Sequence, residues 1–229
     1  MSKRMTAAQQ LVEQGKRYTV REAVELLKKS PAPKFDETVN VAVDLGVDPK
    51  QSDQMVRGTV QLPHGTGKSV KVLVFAKGDA ERQAKEAGAD IIGAEDLFNK
   101  IQAGWTDFDV VVSTPDLMKE VGKLGRVLCP LGLMPSPKAG TVTMDVAKAV
   151  REVKKGKVEF KMDKQGDIHL GVGKRSFSVE ALVENLQTFL EALWRAKPAS
   201  AKGRYVQSIC LSSTMGPGIQ LNALEGRQE

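Results

Sequence analysis

Alternating apolar and polar residues run through both ends of the chain and predict sheets with one face in a core. From Val39 to Leu45 every second residue is apolar, and the pattern returns in 158–162 and 168–172. Because neighbouring side chains of a strand point to opposite faces, this period is typical of half-buried strands. The polar residues 164–167 predict a hairpin turn between the strands at 158–162 and 168–172, and a last strand is predicted from Tyr205 to Leu211.

Two amphipathic helices are predicted beside these strands. Thr19 and Glu22 form a capping box before an apolar stripe in 20–27, and Ser178 precedes a longer stripe that ends before Pro198. A polar side chain at the N-cap bonds a backbone N–H that the first helical turn leaves unpaired. Each end of the chain thus supplies strands and one helix, but each is too small to bury a core well by itself.

The middle of the chain has a different pattern, in which strands are apolar on both faces. Residues 70–76 and 108–112 form nearly continuous apolar runs, and helical segments separate them. Strands of this kind are typical of a parallel sheet that helices cover on both sides.

These patterns together predict an α/β protein of two domains. A discontinuous two-layer α/β outer domain (α+β-like), residues 1–66 and 157–229, holds an inserted three-layer Rossmann-like parallel α/β domain, residues 67–156. Two connections join them, and we expect Gly65, Gly67 and Gly156 to form a hinge there.

Composition narrows the class of partner. The chain has 229 residues, a formal net charge of +6 and only 5% aromatic residues. Basic proteins favour polyanions, while few aromatic side chains disfavour a single-strand binder built on base stacking. A folded nucleic acid, bound through its shape, phosphates and sugars, fits this composition better.

Cysteine usage and hydropathy indicate the compartment. Cys129 and Cys210 belong to no disulfide or metal-ligand spacing, so we expect reduced thiols and no metal site. Residues 1–18 are polar and basic, and no apolar run is long enough to cross a bilayer. We expect a cytoplasmic protein with no membrane contact.

Motifs for nucleotide binding and catalysis are incomplete. Residues 65–69 look like the end of a phosphate-binding loop, but Leu62 stands where the first glycine of that motif belongs. A strand is also predicted after these residues, whereas the motif needs a helix there. Residues 171–176 approximate a dinucleotide fingerprint, with Ser176 in place of its last glycine. We therefore expect no catalytic residue and no cofactor. A nucleotide-binding enzyme that uses the inserted domain is the alternative, because the fold permits one.

Three polar segments suit contact with a nucleic-acid backbone. Residues 212–218 place hydroxyls, Met215 and two glycines after a predicted strand, and 173–176 place two cations and a hydroxyl on a turn. In 34–39, Phe35 lies between a lysine and a hydroxyl. Glycine permits close approach, and hydroxyls and amides bond phosphate and sugar oxygens. The ordinary interpretations are a strand end with a Gly-Pro turn, a solvated basic turn, and a core position for Phe35.

Several stretches, in order from about Tyr18 to Gly218, together resemble the ribosomal protein L-one family. They are KFDETV (34–39), SDQMVRGTV (52–60), LPHGTGK (62–68), PSPKAGTV (135–142), Ile168-His169 with Gly173-Lys174, and STMGP (213–217). The ordered set is far more specific than any one stretch. The resemblance implies a bacterial-type protein of the mobile stalk of the large ribosomal subunit, associated with the ribosome, whose outer domain binds the stalk ribosomal RNA.

The resemblance has further implications for partners and site residues. It implies that the stalk assists release of exit-site tRNA, that the protein represses its own operon mRNA, and that it is monomeric off the ribosome. A regulatory mRNA binder that acts outside the ribosome is an alternative with the same site chemistry. Carried over by position, the RNA-facing residues are Lys34, Phe35, Thr38, His169, Lys174, Ser176, Thr214, Met215 and Gly216.

One loop departs from the family pattern. The family usually has Gly-Pro-Arg-Gly-Leu-Met-Pro-Asn-Pro-Lys, whereas residues 129–138 read CPLGLMPSPK. Cys129, Leu131 and Ser136 thus replace a glycine, an arginine and an asparagine. Losing the arginine weakens the expectation that this loop contacts RNA or tRNA, while the outer-domain stretches keep the family pattern.

Overall fold

The computed structural model describes residues 3–13, 15–93, 95–201 and 203–223. The chain divides into two compact units, one of Met1–Gly67 with Val158–Glu229 and the other of Lys68–Lys157. We call them the outer unit and the inserted unit. Residues 1–2 and 224–229, the ends of the predicted outer domain, lie outside the described residues. Both units mix helices and strands, which confirms the predicted fold class.

The outer unit contains a four-stranded antiparallel sheet. Its strands are β1 (Thr38–Leu45), β7 (Asp167–Lys174), β8 (Val206–Ser213) and β9 (Ile219–Leu221), in the order β7-β1-β8-β9. Burial alternates without exception along β1, as its sequence predicts. The buried face includes Val39, Val41 and Val43, and the partly exposed face includes Thr38 and Asn40.

Two predicted helices pack on the buried face of this sheet. They are α2 (Val20–Lys29) and α8 (Val179–Arg195), and both contribute buried residues to the same core as β1. The capping box of Thr19 and Glu22 is confirmed, as is the N-cap of Ser178, whose side chain accepts from the Ala181 backbone N–H.

The predicted hairpin is wrong in its pairing. Residues 164–166 form the turn and Asp167 begins β7, but the strand before the turn, β6 (Lys157–Lys161), pairs with β2 (Arg57–Gln61) in a separate two-stranded sheet. Packing favours this pairing, because the Phe160 ring lies against Gly58, where a Cβ would be 2.6 Å from its Cζ. The same ring packs edge-on against Phe189 of α8.

The inserted unit is a three-layer parallel α/β structure, as predicted. Strands β3 (Val72–Phe75), β4 (Ile91–Gly93) and β5 (Val110–Ser113) are parallel, in the order β4-β3-β5. One core joins this sheet to α3 (Asp79–Glu86) and α7 (Val146–Lys154), and another joins it to α4 (Glu95–Gln102), α5 (Met118–Lys123) and α6 (Gly125–Leu128).

The sequence patterns did not predict two elements of the outer unit. A helix, α1 (Lys3–Gln10), precedes α2, and the short β9 follows β8. Within the described ranges, no helix has both the length and the apolar character that a membrane crossing needs.

Acid is expected to destabilise the inserted unit through two aspartates beside β3. Backbone bonding from Val72 is the main cause that lowers the pKa of Asp90, and bonding from the Lys68 ammonium and then the Lys71 N–H lowers that of Asp109. A depressed pKa adds stability that is present above the unfolded pKa and is lost as pH falls through the folded value. The urea concentration at the midpoint of unfolding of this unit should therefore decrease as the pH is lowered below about 4.

Tryptophan fluorescence provides the measurement. When Trp194 is replaced by phenylalanine, the one remaining tryptophan is Trp105 of the inserted unit. Its ring centroid lies 5.6 Å from that of Phe108. A variant with Asp90→Asn and Asp109→Asn keeps amide oxygens for the backbone bonds but does not titrate. If the stability of that variant falls in acid as steeply as that of the protein with both aspartates, the effect does not come from Asp90 and Asp109.

Candidate nucleic-acid interface

Three strand ends of the outer sheet meet at one edge. β1 begins opposite the end of β7, with Thr38 paired to Lys174, and the next residue of β1, Val39, pairs with Ser213 at the end of β8. This register brings the start of β1 together with two segments that lie more than 130 positions later in the sequence. We call residues 34–38, 174–176 and 213–216 the three-strand edge.

Hydrogen bonds of Thr38 join the three segments. The Thr38 carbonyl accepts from the Thr214 N–H at 3.1 Å, and the Thr38 N–H donates to the Thr214 hydroxyl oxygen at 3.1 Å. The Lys174 ammonium donates to the Thr38 hydroxyl at 2.9 Å. The hydroxyls of both threonines are therefore already bonded within the protein, and Lys174 is held in place beside them.

A buried ion pair lies beneath this surface. Glu37 is 1% exposed and accepts from the Arg175 guanidinium at 2.7 Å and from the Met215 N–H at 3.0 Å. Arg175 also donates to the backbone carbonyls of Lys28 and Ser30, at the end of α2. A charge that is both paired and hydrogen-bonded tolerates burial, so Glu37 and Arg175 fix the loop that carries Met215.

The Glu37–Arg175 pair was missed from the sequence. Each residue stands in a charged stretch that fits a solvated surface equally well, and 138 positions separate them. Only the strand register reveals that the two charges meet. Ser176 is bonded nearby, where its hydroxyl donates to the Asp36 carboxylate at 2.8 Å.

Two large apolar side chains are exposed at the three-strand edge. Phe35 and Met215 are each 53% exposed, and Lys34 is exposed next to Phe35. Phe35 therefore does not occupy the core position that was its ordinary interpretation. An aromatic ring, a flexible thioether and a lysine, all exposed at an edge that also carries hydroxyls, are groups suited to a base and its sugar-phosphate backbone.

Gly216 lies in a tight turn of the protein itself. A Cβ at this position would overlap the hydroxyl of Ser213, a buried residue, and the Gly216 N–H bonds the Ser213 carbonyl at 3.1 Å. The sequence suggested that glycine here lets a partner approach. The structure adds that a side chain at this position would have to displace the Ser213 hydroxyl.

His169 lies away from the other predicted residues. It pairs with Ala42 on β1, four positions after Thr38, which corresponds to about 13 Å along the strand. Its neighbours are Asp163 and Asp167, and one ligand-type atom of each of the three residues lies within 4.8 Å of the others. Backbone bonding from Asp167 and Gln165 lowers the pKa of Asp163, so this carboxylate already serves the turn.

The predicted hinge glycines all have positive φ, at 64° for Gly65, 71° for Gly67 and 98° for Gly156. Glycine adopts this region at low cost. Gly67 is also crowded, since a Cβ there would be 2.8 Å from the Lys174 Cγ. Gly65 is bonded through its carbonyl to the buried Asn185 side chain at 2.9 Å.

The motif that looks like a phosphate-binding loop lacks the expected context. Residues 65–69 lead into strand β3, so no helix N-terminus follows them. The Lys68 ammonium forms an ion pair with Asp109.

The three replaced residues lie in the loop of the inserted unit that departs from the family pattern. Ser136 donates its N–H to the Thr141 hydroxyl oxygen at 2.8 Å, while Cys129 and Leu131 are exposed. Leu131 offers no charge to a phosphate at the position where the family usually has arginine.

Comparison with known proteins agrees with the resemblance seen in the sequence. A model of the family described as "Ribosomal protein L1p/L10e family" matches residues 26–217, a span that includes the three-strand edge. The chain is also 59% identical over 224 residues to the large ribosomal subunit protein uL1 of Protochlamydia amoebophila (strain UWE25), a match that covers 98% of this chain and 95% of that protein. With its motifs, its two-unit α/β fold and these matches in agreement, the chain belongs to the ribosomal protein L1p/L10e family.

Proposed function

We propose that this protein is a structural constituent of the large ribosomal subunit that binds the stalk segment of its ribosomal RNA through the three-strand edge. The observation that carries the site is the convergence of Phe35, Thr38, Lys174 and Met215 at one edge of one sheet. Membership of a ribosomal protein family supports ribosomal RNA as the partner and a structural, non-enzymatic role.

The chemistry of the edge supports a folded RNA as the ligand. The bonds among Thr38, Thr214 and Lys174 hold their polar groups in a fixed arrangement before RNA arrives, which reduces the ordering cost of binding. Phe35 and Met215 give apolar contact area to an unstacked base or a sugar. Lys34 and Lys174 provide charge for phosphates.

The finer parts of the function follow from the family resemblance and extend this proposal. They are assistance in release of exit-site tRNA, repression of the protein's own operon mRNA, and a hinge at Gly65, Gly67 and Gly156. His169, Ser176 and Gly216 complete the proposed site, with Gly216 in a shaping role. The protein acts on cytoplasmic ribosomes and is a monomer when free.

Binding of a stalk-RNA transcript is expected to weaken steeply with salt. The edge offers few cations, so roughly two to five phosphates should be neutralised, each adding about 0.7 to 0.9 to the slope of log K against log salt. Filter binding or fluorescence anisotropy at several salt concentrations measures this slope. An affinity that does not change between low and physiological salt would contradict the RNA function.

The enzyme alternative has its own test. Dialysed protein that binds ATP or NAD saturably at micromolar concentrations, without RNA, would support a nucleotide-binding inserted unit. A protein that binds the stalk transcript but neither nucleotide supports the ribosomal role.

A further inference from the structure

The N-terminal helix α1 reaches the loop that carries Met215. Ala8 of α1 is buried, and it shares a small enclosed cavity of about 10 Å³ with residues of α2, Pro217 and Ile219. Further along the chain, the Tyr18 N–H bonds the Gln220 carbonyl at 2.9 Å, and the Asn222 N–H bonds the Tyr18 carbonyl at 3.0 Å. These contacts attach the N-terminal segment to the outer unit on the β9 side.

Arg4 of α1 contacts the three-strand edge. Its guanidinium donates to the Met215 carbonyl at 3.4 Å, a long hydrogen bond across 211 positions of sequence. Among the described residues no carboxylate forms an ion pair with Arg4. A guanidinium has five N–H donors, so one long bond to a carbonyl leaves most of its capacity for another acceptor.

The charge distribution at the edge makes this placement informative. Lys34 and Lys174 belong to the β1 and β7 side, while Arg175 is engaged by Glu37 and by backbone carbonyls. Arg4 approaches from the other side, through the loop after β8. Cations therefore lie both at the β1 and β7 segments of the edge and at the loop that carries Met215, an arrangement that suits an RNA backbone with phosphates at both places.

We propose that Arg4 is a phosphate-binding residue of the RNA site, so that α1 is part of the RNA-binding surface and not only a covering helix. This inference rests on the proposed function. The planar guanidinium matches a phosphate in a bidentate way, and the Met215 carbonyl orients it. The ligand group is a backbone phosphate of the stalk RNA.

The test compares Arg4→Gln with Arg21→Gln in the full-length protein. Glutamine keeps a donor for the Met215 carbonyl but removes the charge. Arg21 is an exposed arginine near the start of α2, paired with Glu25, and α2 contacts Arg175 only at its other end. Binding of a stalk-RNA transcript is measured from low to physiological salt, and circular dichroism checks folding.

Loss of one phosphate contact should lower the salt slope by about 0.7 to 0.9 in Arg4→Gln and leave it unchanged in Arg21→Gln. Arg4→Lys should keep most of the slope. An unchanged slope in folded Arg4→Gln overturns the inference, as does an equal reduction in Arg21→Gln.

A second measurement needs no variant. Phenylglyoxal modifies accessible arginines, and mass spectrometry reads modification at each one with and without the RNA transcript. We expect RNA to protect Arg4 and not Arg21, and equal modification of Arg4 in both states overturns the inference. If the wild-type protein does not bind the transcript at all, the proposed function fails first. If it binds and Arg4 contributes nothing, only this inference fails.

Discussion

Phe35→Ala is expected to weaken binding of the stalk RNA by about 1 to 3 kcal/mol, between about fivefold and 150-fold, with little change in stability. The ring is half exposed and is not part of the described core, so its removal costs little folding energy. A base stacked on the ring would lose that contact. Met215→Ala should cost about 1 kcal/mol of affinity, because Met215 is exposed to the same degree as Phe35 but its thioether offers no aromatic face on which a base can stack.

Matched controls distinguish a binding surface from general loss of apolar area. Met55 is 49% exposed in the same unit, and Met144 is 69% exposed in the inserted unit. Met55→Ala and Met144→Ala should bind the transcript as the wild type does. Wild-type affinity in a folded Phe35→Ala variant would remove the ring from the site, and an equal loss in the Met55 control would show that the effect is not local.

The faces of the sheet were predictable because they depend on local periodicity. The alternation from Val39 to Leu45 specifies which residues of β1 are buried, and the polar residues before α2 and α8 specify where those helices begin. Which strands pair with each other depends on residues far apart in the sequence, so local periodicity does not predict it. A turn at 164–167 predicted a hairpin, but packing of Phe160 on Gly58 placed β6 with β2 instead.

The sequence identified candidate site residues but not their contacts, because chemistry, unlike periodicity, depends on distant partners. The sequence identified exposed candidates such as Phe35 and Met215, but it suggested RNA contacts for threonine hydroxyls that already have partners within the protein. The Thr214 hydroxyl bonds the Thr38 backbone, and the Thr38 hydroxyl accepts from Lys174. Helix α1 was not predicted because KRMTAAQQ has no apolar stripe. Its contact through Arg4 depends on where the N-terminal segment folds back, which no local pattern specifies.

Glu37→Ala should have the largest effect on stability, lowering the free energy of unfolding of the outer unit by about 3 to 5 kcal/mol. The substitution leaves the Arg175 guanidinium, whose side chain is 13% exposed, without its carboxylate, and leaves the Met215 N–H without its acceptor. Urea unfolding is monitored by Trp194, which packs 5.6 Å from Tyr205, in a Trp105→Phe background. This background reports the outer unit alone.

A double-mutant cycle separates the ion pair from a simple loss of packing. Glu37→Ala with Arg175→Ala removes both charges, so the double variant should be clearly more stable than the sum of the single effects predicts. The pair of Arg21 and Glu25 on α2 is the control, with side chains 73% and 43% exposed, and Glu25→Ala should change stability by no more than about 0.5 kcal/mol. Additive effects at Glu37 and Arg175 would mean that the two charges do not stabilise each other. The loop that carries Met215 would then need another explanation for its position beside Thr38.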